Sequence, residues 1–443
     1  MNVNACAQPE SAPALTPQAL ASLNQRYLQC LQAHDWAGGK ALALQALQAM
    51  PEHPEILGDL ALCQMRGGEL DAALHSFGRV LALSPNEPNP HDGLAELHGL
   101  RAEALARGEA LADGRDAATE RELARAHGLL ALALKDTRHA LPLLWPLPAQ
   151  APPPLSDERR RNVLAYSLFG DNPRYGETMV LNVQAAQSLM PQWTVRVYTD
   201  ASVPQGLRQR LAQGGAELVL CDGPQWQGIP PLMWRFAVMH DTQVQRWLIR
   251  DADSLLSTRE QAAVQAWLDS ACWFHMLRDY YTHTELLLAG LLGGCGGVFT
   301  NAPGQPDWLA QMRAFAAAHQ HEQRVVDQHF LRQQVWPTVR GSLLTHDSWF
   351  GFMQAQPFPA HAPHGLGGRF HVGCNLASAA IGVDNTQRPD GEVLRWQLFD
   401  EQGAEVCAYD VTVRAGRWRA QLPQPYIDKL RTQAWRVVCP AEA

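Results

Sequence analysis

The sequence predicts an α/β domain with a mixed, mainly parallel sheet, preceded by an all-α helical-repeat domain and followed by a small β-rich module. The first third is rich in alanine and leucine and repeats itself, a proline-rich stretch interrupts the chain, and strands and helices alternate after it. Such alternation is typical of a mainly parallel sheet covered on both faces. The predicted ranges are 1–17 for a disordered tail, 18–140 for the repeats, 141–158 for a linker, 159–384 for the α/β domain and 385–443 for the β-rich module.

Composition describes a globular chain of more than one domain. The 443 residues exceed the usual size of one domain, and the apolar fraction of 46% is ordinary. The net charge is −8 without a strongly basic segment, so no nucleic acid is expected as a partner. The most apolar stretch, Leu286–Phe299, is too short to cross a bilayer, and no signal peptide precedes the first domain. We expect a cytoplasmic protein without a transmembrane segment, in solution or at the periphery of the inner membrane.

Helical repeats are predicted from a recurring offset. Pro85 ends the segment LDAALHSFGRVLALSP as Pro51 ends WAGGKALALQALQAMP, and 85 − 51 = 34. Ala61, Ala73 and Phe77 stand where two packed helices would interlock small and large side chains. The pattern resembles the tetratricopeptide repeat. The resemblance implies a surface for a protein partner, and a plain helical cap without a ligand is the alternative.

Prolines between 142 and 154 predict the linker, because they supply no amide donors and favour an extended chain. Predicted strands then follow at 162–170, 194–200, 216–222 and 246–253, with helices between them. Ligands of such sheets bind at the carboxyl ends of the strands.

Two aspartates end the fourth predicted strand. Asp251 and Asp253 are two residues apart, so in an extended chain they project to the same side, with Cα atoms about 6–7 Å apart. Ser257 and Glu260 then form a predicted capping box in which Glu260 reaches back to Ser257. Carboxylates at this spacing suit Mg²⁺ or Mn²⁺, with substrate phosphates completing the shell. A solvated turn is the alternative.

Six segments together resemble a bacterial group of GT-A-type glycosyltransferases, in the order YSLFGDNPRY, WRF, RDADSLLSTREQAAVQAWL, FHMLRD, VDQHFL and THDSWF. They extend from Asn162 to Gly373, about half of the chain. The resemblance implies a GT-A-like, Rossmann-type sheet with a nucleotide half and an acceptor half. It implies a metal-dependent glycosyltransferase that uses Mn²⁺ or Mg²⁺ and a nucleoside-diphosphate sugar, with a UDP-sugar favoured. The acceptor would be a glycan, a lipid-linked glycan or a protein.

The resemblance also assigns roles to single residues. Asp251 and Asp253 match the metal-binding motif, and His346 matches a downstream histidine that completes the metal shell. Asp327 and Gln328 resemble a pair directed at the sugar hydroxyls, with Asp327 as a catalytic residue and Gln328 as a donor-binding one.

Four further positions are predicted to contact the donor or the acceptor. Arg235 is a candidate for the diphosphate, because a guanidinium group suits phosphate oxygens. Phe169 and Asp200, at the ends of the first two strands, are candidates for the nucleotide base and ribose. Asp279 would lie near the acceptor, as the general base of an inverting transfer or as a positioning group in a retaining one.

The chain departs from the family pattern after Asp279. Tyr280 and Tyr281 replace a His-Pro pair, and the run from Gly290 to Gly294 lacks a tryptophan. The glycine-rich segment Gly293–Gly297 is predicted to close over the donor and exclude water. Two other functions remain open: a nucleotidyltransferase, and a repeat-based scaffold whose transferase domain is inactive.

Overall fold

A computed structural model describes residues 17–300, 307–319, 325–363, 370–375, 379–384, 386 and 388–439. The predicted tail lies outside the described residues, except for Pro17, which begins the first helix. The chain divides into two compact units. We call Met1–Arg138 with Tyr281–Thr284 the helical unit, and His139–Tyr280 with Glu285–Ala443 the α/β unit.

The helical unit consists of antiparallel helix pairs that recur at the predicted spacing. Trp36 and Leu70 begin equivalent helices, and so do Pro54 and Pro88, with 70 − 36 = 34 and 88 − 54 = 34. Both prolines stand at the start of a helix, where the missing amide hydrogen costs nothing. The helices are α1 (Pro17–Ala33), α2 (Trp36–Ala49), α3 (Pro54–Arg66), α4 (Leu70–Leu83), α5 (Pro88–Ala106) and α6 (Ala117–His139).

Small residues allow these helices to approach each other closely. Ala61 and Ala73 are fully buried, and Phe77 packs in the same cluster. Gly93 of α5 faces the Phe77 ring so closely that a Cβ there would overlap it. The predicted interlocking of small and large side chains is therefore confirmed.

The α/β unit is built on one mixed sheet. Within the described residues its strand order is β3-β2-β1-β4-β6-β5-β7, in which β6 runs antiparallel to its neighbours and the other pairs are parallel. The strands are β1 (Asn162–Leu168), β2 (Thr194–Thr199), β3 (Glu217–Leu220), β4 (Arg246–Arg250), β5 (Phe274–Arg278), β6 (Leu291–Cys295) and β7 (Leu343–Asp347). The predicted class, a helical-repeat region followed by an α/β domain with a mixed sheet, is confirmed.

Helices connect these strands. They are α7 (Pro173–Leu189), α8 (Gln205–Gln213), a 3₁₀ helix (Pro231–His240), α9 (Thr258–Leu268), α10 (Trp308–Ala318), α11 (Val326–Phe330), a π-helical turn (Leu331–Val335) and α12 (Trp336–Val339). Every residue of β1 and β4 is buried, as expected for central strands covered on both faces.

The predicted glycine-rich closing segment is instead part of the sheet core. Its first three residues, Gly293–Cys295, belong to the fully buried β6. A Cβ at Gly294 would overlap the indole of Trp247 on β4, and one at Gly293 would lie 2.6 Å from the Leu248 side chain. These glycines therefore make room for large side chains of the neighbouring strand, and the prediction of a mobile cover was wrong.

The proline-rich linker is packed onto the α/β unit. Trp145 is buried against Phe299 and Trp308, and its backbone exchanges hydrogen bonds with the Thr338 hydroxyl. The Pro153 carbonyl accepts a 2.9 Å hydrogen bond from Arg246 Nε.

The C-terminal module is β-rich, as predicted, and consists of two small antiparallel sheets ordered β10-β9-β12 and β11-β8. It comprises β8 (Ala379–Asp384), β9 (Val393–Phe399), β10 (Glu405–Thr412), β11 (Arg417–Leu422), α13 (Gln424–Arg431) and β12 (Arg436–Val438). A buried carboxylate attaches it to α7. Glu177 binds Arg210 through both oxygens at 2.8 Å and also accepts from the Tyr409 and Tyr426 hydroxyls at 2.7 and 3.1 Å.

None of the described helices has the length and apolarity needed to cross a membrane.

Candidate active site

Several of the predicted site residues lie where the strand order of the sheet reverses. From β1 the chain adds β2 and β3 on one side and then returns to add β4 on the other. The adjacent carboxyl ends of two such strands leave a crevice in which sheet enzymes of this type bind ligands. Tyr166 of β1 pairs with Arg250 of β4, so Phe169 and Asp251 follow neighbouring strand ends.

A buried arginine joins two of the predicted acidic residues. Arg235 is 5% exposed, and its Nη1 donates to Asp251 Oδ1 and, at 3.2 Å, to the Arg250 carbonyl. Its Nη2 donates to Asp327 Oδ2 at 3.2 Å. The Arg235 backbone N–H donates to the Ser167 hydroxyl at 3.0 Å, which fixes the 3₁₀ helix over β1. Arg235 therefore holds carboxylates from two distant segments together.

Gly290 makes space for Asp251. A Cβ at this position would overlap the carboxylate, lying 3.0 Å from Oδ1 and closer still to Oδ2. The following strand, β6, begins one residue later and pairs with β4 through Leu291 and Arg250. A glycine is therefore required where the chain passes under the aspartate.

Asp253 has an arginine partner of its own. Arg174, in the first turn of α7, donates to Asp253 Oδ2 through Nη2 at 2.6 Å and through Nε at 3.2 Å. Asn182 of the same helix donates to the Ser254 carbonyl at 2.8 Å and accepts from the Leu256 amide at 3.0 Å. Helix α7 thus holds the segment that follows the aspartates.

Burial and mutual repulsion perturb the acidic cluster. Burial raises the pKa of Asp327 to about 6, with Arg235 opposing and the charge of Asp251 adding to the rise. The pKa of Asp253 is raised by burial and by Asp251, against the effect of Arg174. Burial alone would lower the pKa of Arg235, but the charges of Asp251 and Asp327 outweigh it and raise the pKa. Perturbed carboxyl groups in a cleft are typical of functional sites.

Gln328 supports the chain before Gly290. Its side-chain amide donates to the Leu287 carbonyl at 2.8 Å and accepts from the Ala289 amide at 3.2 Å. Its backbone N–H donates to Asp327 Oδ1 at 2.8 Å. The predicted Asp327–Gln328 pair therefore lies at the site, with the aspartate in the charged cluster and the glutamine holding a neighbouring loop.

Asp279 accepts hydrogen bonds on both carboxylate oxygens. Arg259 Nη2 and the Ser348 hydroxyl each donate to Oδ1 at 2.7 Å, and the Val372 amide donates to Oδ2 at 2.9 Å. The side chain is nearly buried. This arrangement favours a positioning role for Asp279 over proton transfer.

The structure does not bring His346 to the two aspartates as a third ligand. His346 is buried in β7, and its Nδ1 lies 2.9 Å from Nε2 of His275 on the adjacent strand β5. Burial lowers the pKa of His346 to about 4, so the pair is neutral at pH 7. In the part of the chain that the structure describes, no three His, Cys, Asp or Glu side chains are arranged to hold a metal ion.

Phe169 and Asp200 are placed at strand ends, as predicted. Phe169 is 42% exposed and stands edge-on to Trp234. Asp200 binds the hydroxyl and the amide of Ser202, and that hydroxyl accepts from the Gly170 amide at 2.7 Å. Asp200 thus joins the loops after β1 and β2.

The capping box is half confirmed. Ser257 caps α9 by accepting from the Glu260 amide at 3.3 Å, but the Glu260 side chain binds Arg250 instead of reaching back.

Arg174 and Gly290 were not predicted as site residues. Arg174 lies in the YSLFGDNPRY run, so its place in a resembling segment could have indicated a site residue. Gly290 contacts Asp251, which is 39 positions away in the sequence (290 − 251 = 39), so no local pattern indicated its role.

Residues 31–97 match the tetratricopeptide repeat family. The prediction of such repeats is confirmed for this segment. No curated protein sequence matches the chain.

Several solved structures are similar to parts of the chain. One is PcrH in complex with the chaperone-binding region of PopD, with 20% identity over 28% of this chain and 80% of that chain and a TM-score of 0.23. Another is the Yersinia enterocolitica chaperone SycD with a YopD peptide, with 18% identity, 27% and 78% coverage and a TM-score of 0.22. An O-GlcNAc transferase mutant from Thermobaculum terrenum has 19% identity, 46% and 42% coverage and a TM-score of 0.25. TM-scores this low transfer neither a fold nor a function.

Proposed function

We propose that the α/β unit is a glycosyltransferase that moves a sugar from a nucleoside diphosphate to an acceptor hydroxyl. The observation that carries the proposal is the acidic cluster at the strand-order reversal. Three carboxylates and two guanidinium groups meet in this cluster, and Phe169, whose ring is exposed, follows the adjacent strand end. A base can stack on such a ring while a diphosphate lies against the arginines.

The donor atoms of the cluster fit a hard divalent cation. Arg235 binds only Oδ1 of Asp251, and Arg174 binds only Oδ2 of Asp253. Each carboxylate therefore keeps a second oxygen, and two carboxylates with substrate phosphates are a usual set for Mg²⁺ or Mn²⁺. When bound, such an ion neutralises charge on the departing diphosphate. Asp251 and Asp253 would hold it, and Arg235 would contact the diphosphate.

Asp327 is the best candidate for moving a proton. Its pKa of about 6 lies near neutral pH, where a carboxyl group can both accept and return a proton. In the proposed step the acceptor oxygen bonds to the anomeric carbon, the bond from that carbon to the diphosphate breaks, and the hydroxyl proton passes to Asp327. Asp279 would keep Ser348 and Val372 in place on the acceptor side.

The test is release of nucleoside diphosphate by the full-length protein from a panel of UDP-sugars, with and without EDTA. We expect release with Mn²⁺, and a loss of at least about 100-fold in Asp251→Asn combined with Asp253→Asn. Asp428→Asn is the control, because this exposed aspartate also faces an arginine, Arg431 at 3.5 Å, but lies in the C-terminal module. Equal release by the double variant and the control would overturn the proposal.

A protein-binding scaffold with an inactive transferase domain is the second candidate. One observation favours it: the family match falls within the helical unit alone. A groove of about 380 Å³ between α1, α2 and α3 in that unit, lined by Tyr27 and Asp59, is where a partner could bind. No release from any donor, with Mn²⁺ and a folded protein, would favour this function over sugar transfer.

A further inference from the structure

A groove lies between the C-terminal module and α7, and none of the residues assigned to the proposed reaction lines it. It has a volume of about 820 Å³ and runs from the residues before and at the start of α7 to the end of β10 and along β11. This volume is in the range of pockets that bind small molecules and short oligomers. Every residue that lines it belongs to the α/β unit.

Two arginines face each other where a tight hairpin closes the groove. Arg414 N donates to the Arg417 carbonyl at 2.8 Å, and Arg417 N donates to the Arg414 carbonyl at 3.2 Å. Residues that exchange both hydrogen bonds are directly opposed, with side chains on one face and Cα atoms about 5.5 Å apart. Like charges in this position destabilise a hairpin. Within the described ranges, neither guanidinium forms an ion pair with a carboxylate.

The turn between these arginines is strained as well. Ala415 has a φ of 50° and Gly416 a φ of 66°. Glycine adopts such values readily, but alanine does so at a cost of about 1 kcal/mol. The chain therefore keeps two unfavourable features at one point, repulsion and strain, and an anion bound between the guanidinium groups would offset the repulsion.

The wall of the groove opposite the hairpin is the start of α7, which adds positive electrostatic potential. Helix α7 is 17 residues long, and its N-terminal end lines the groove through Asn172 and Pro173. The positive end of the helix dipole lies there, although the first-turn amides of Arg174 and Tyr175 are already bonded to Asn172. Arg419 also lines the groove but is paired with Asp384, and Asp171 and Asp410 add two carboxylates, so the unpaired positive charge of the groove comes from Arg414 and Arg417.

A buried donor behind the wall has no acceptor. Trp396 lines the groove and is fully buried, and its indole Nε1 has no hydrogen-bond partner within the described residues. This nitrogen has almost no accessible surface and the indole stacks on Tyr409 in the core of the module, so Trp396 supports the wall of the groove and is not itself a ligand contact.

The same helical turn reaches the candidate active site. Pro173 lines the groove, and the next residue, Arg174, binds Asp253. We propose that the groove binds the negatively charged part of the acceptor, which makes the acceptor an anionic saccharide bearing carboxylate or phosphate groups. This inference rests on the proposed function, because only a transferase has an acceptor.

The test is calorimetric titration of the full-length protein with two anionic probes and one neutral one. Hexagalacturonate carries carboxylates, a glycerol-phosphate hexamer carries phosphates, and maltohexaose is uncharged. We expect at least one anionic probe to bind and Arg414→Gln combined with Arg417→Gln to weaken it by about tenfold or more. The matched control is Arg160→Gln combined with Arg431→Gln, two exposed arginines outside the groove whose partners also lie outside it, with a change below about twofold.

Three results would overturn the inference: no binding of either anionic probe, equal binding of maltohexaose, or equal loss in the two double variants. The preferred anionic probe identifies which group the acceptor bears. Failure of the two proposals is distinguishable. If donor turnover depends on Asp251 and Asp253 but no anion binds, the acceptor inference alone falls. If the groove binds an anion but no donor is turned over, the groove stands as a binding site and its role in sugar transfer falls.

Discussion

Replacing Gly290 by alanine tests whether the site depends on the position of the Asp251 carboxylate. The new Cβ would overlap Asp251 Oδ2 and lie 3.0 Å from Oδ1, whereas ordinary contact begins near 3.4 Å, so the carboxylate must move by about 1 Å or more. That shift breaks the contact with the buried Arg235. A misplacement of about 1 Å at a reacting centre can lower a rate by about 100-fold. The exposure of Asp251 limits the loss of folding stability to about 1–3 kcal/mol.

The assay is release of nucleoside diphosphate, measured alongside urea unfolding of the same preparation. Gly206→Ala is the matched control, because a methyl group on this α8 glycine would have no atom within 4 Å and the residue has no strained φ. We expect the control to be at least as stable as the parent, since alanine favours helix. Release by Gly290→Ala at about the parent rate, with unchanged unfolding, would refute the assigned role of Gly290.

Two further predictions concern stability. Glu177→Gln should lower the free energy of unfolding by about 3 kcal/mol, because it leaves Arg210 without its buried partner, and urea unfolding would measure it. The control Glu217→Gln, on the exposed partner of Arg196, should cost less than about 1 kcal/mol, and similar losses would contradict the prediction. The second concerns Asp327, whose folded pKa of about 6 exceeds the unfolded value of about 3.9, so the folded state binds the proton more tightly and stability falls as pH rises from about 4 to 6. Asp327→Asn should remove this component, at most about 3 kcal/mol, from the difference between unfolding curves at pH 4 and 7, and parallel pH profiles in parent and variant would contradict the prediction.

The sequence predicted features that depend on short stretches of chain. The strands β1 and β4 contain the apolar runs Val163–Tyr166 and Trp247–Ile249, and a run buried on both faces can be recognised without knowledge of its neighbours. The position of Asp251 at a strand end follows from the same local pattern. The repeat spacing is equally local, since each helix pair reproduces the one before it.

The sequence could not predict features that depend on the order of the strands in the sheet. His346 and His275 meet because β5 and β7 are adjacent, although β6 lies between them in sequence. Neither strand reveals this adjacency by its own sequence, so the contact between His346 and His275 could not be predicted. The role of the β6 glycines was not predictable for a related reason, because it too depends on a neighbouring strand. Glycine is unfavourable in a strand, and only contact with Trp247 on β4 shows why it is needed there.

The arginines balance most of the charge of the acidic cluster and so link the binding of donor and cation. Arg174 and Arg235 contribute two positive charges against the three carboxylates of Asp251, Asp253 and Asp327, which leaves one negative charge in excess if all are ionised. A nucleoside diphosphate alone would add negative charge and be repelled by the aspartates. If the diphosphate draws the arginines towards it, the carboxylates lose their partners and become better ligands for a cation. We therefore expect donor and cation to bind cooperatively, each raising the affinity for the other by the same factor.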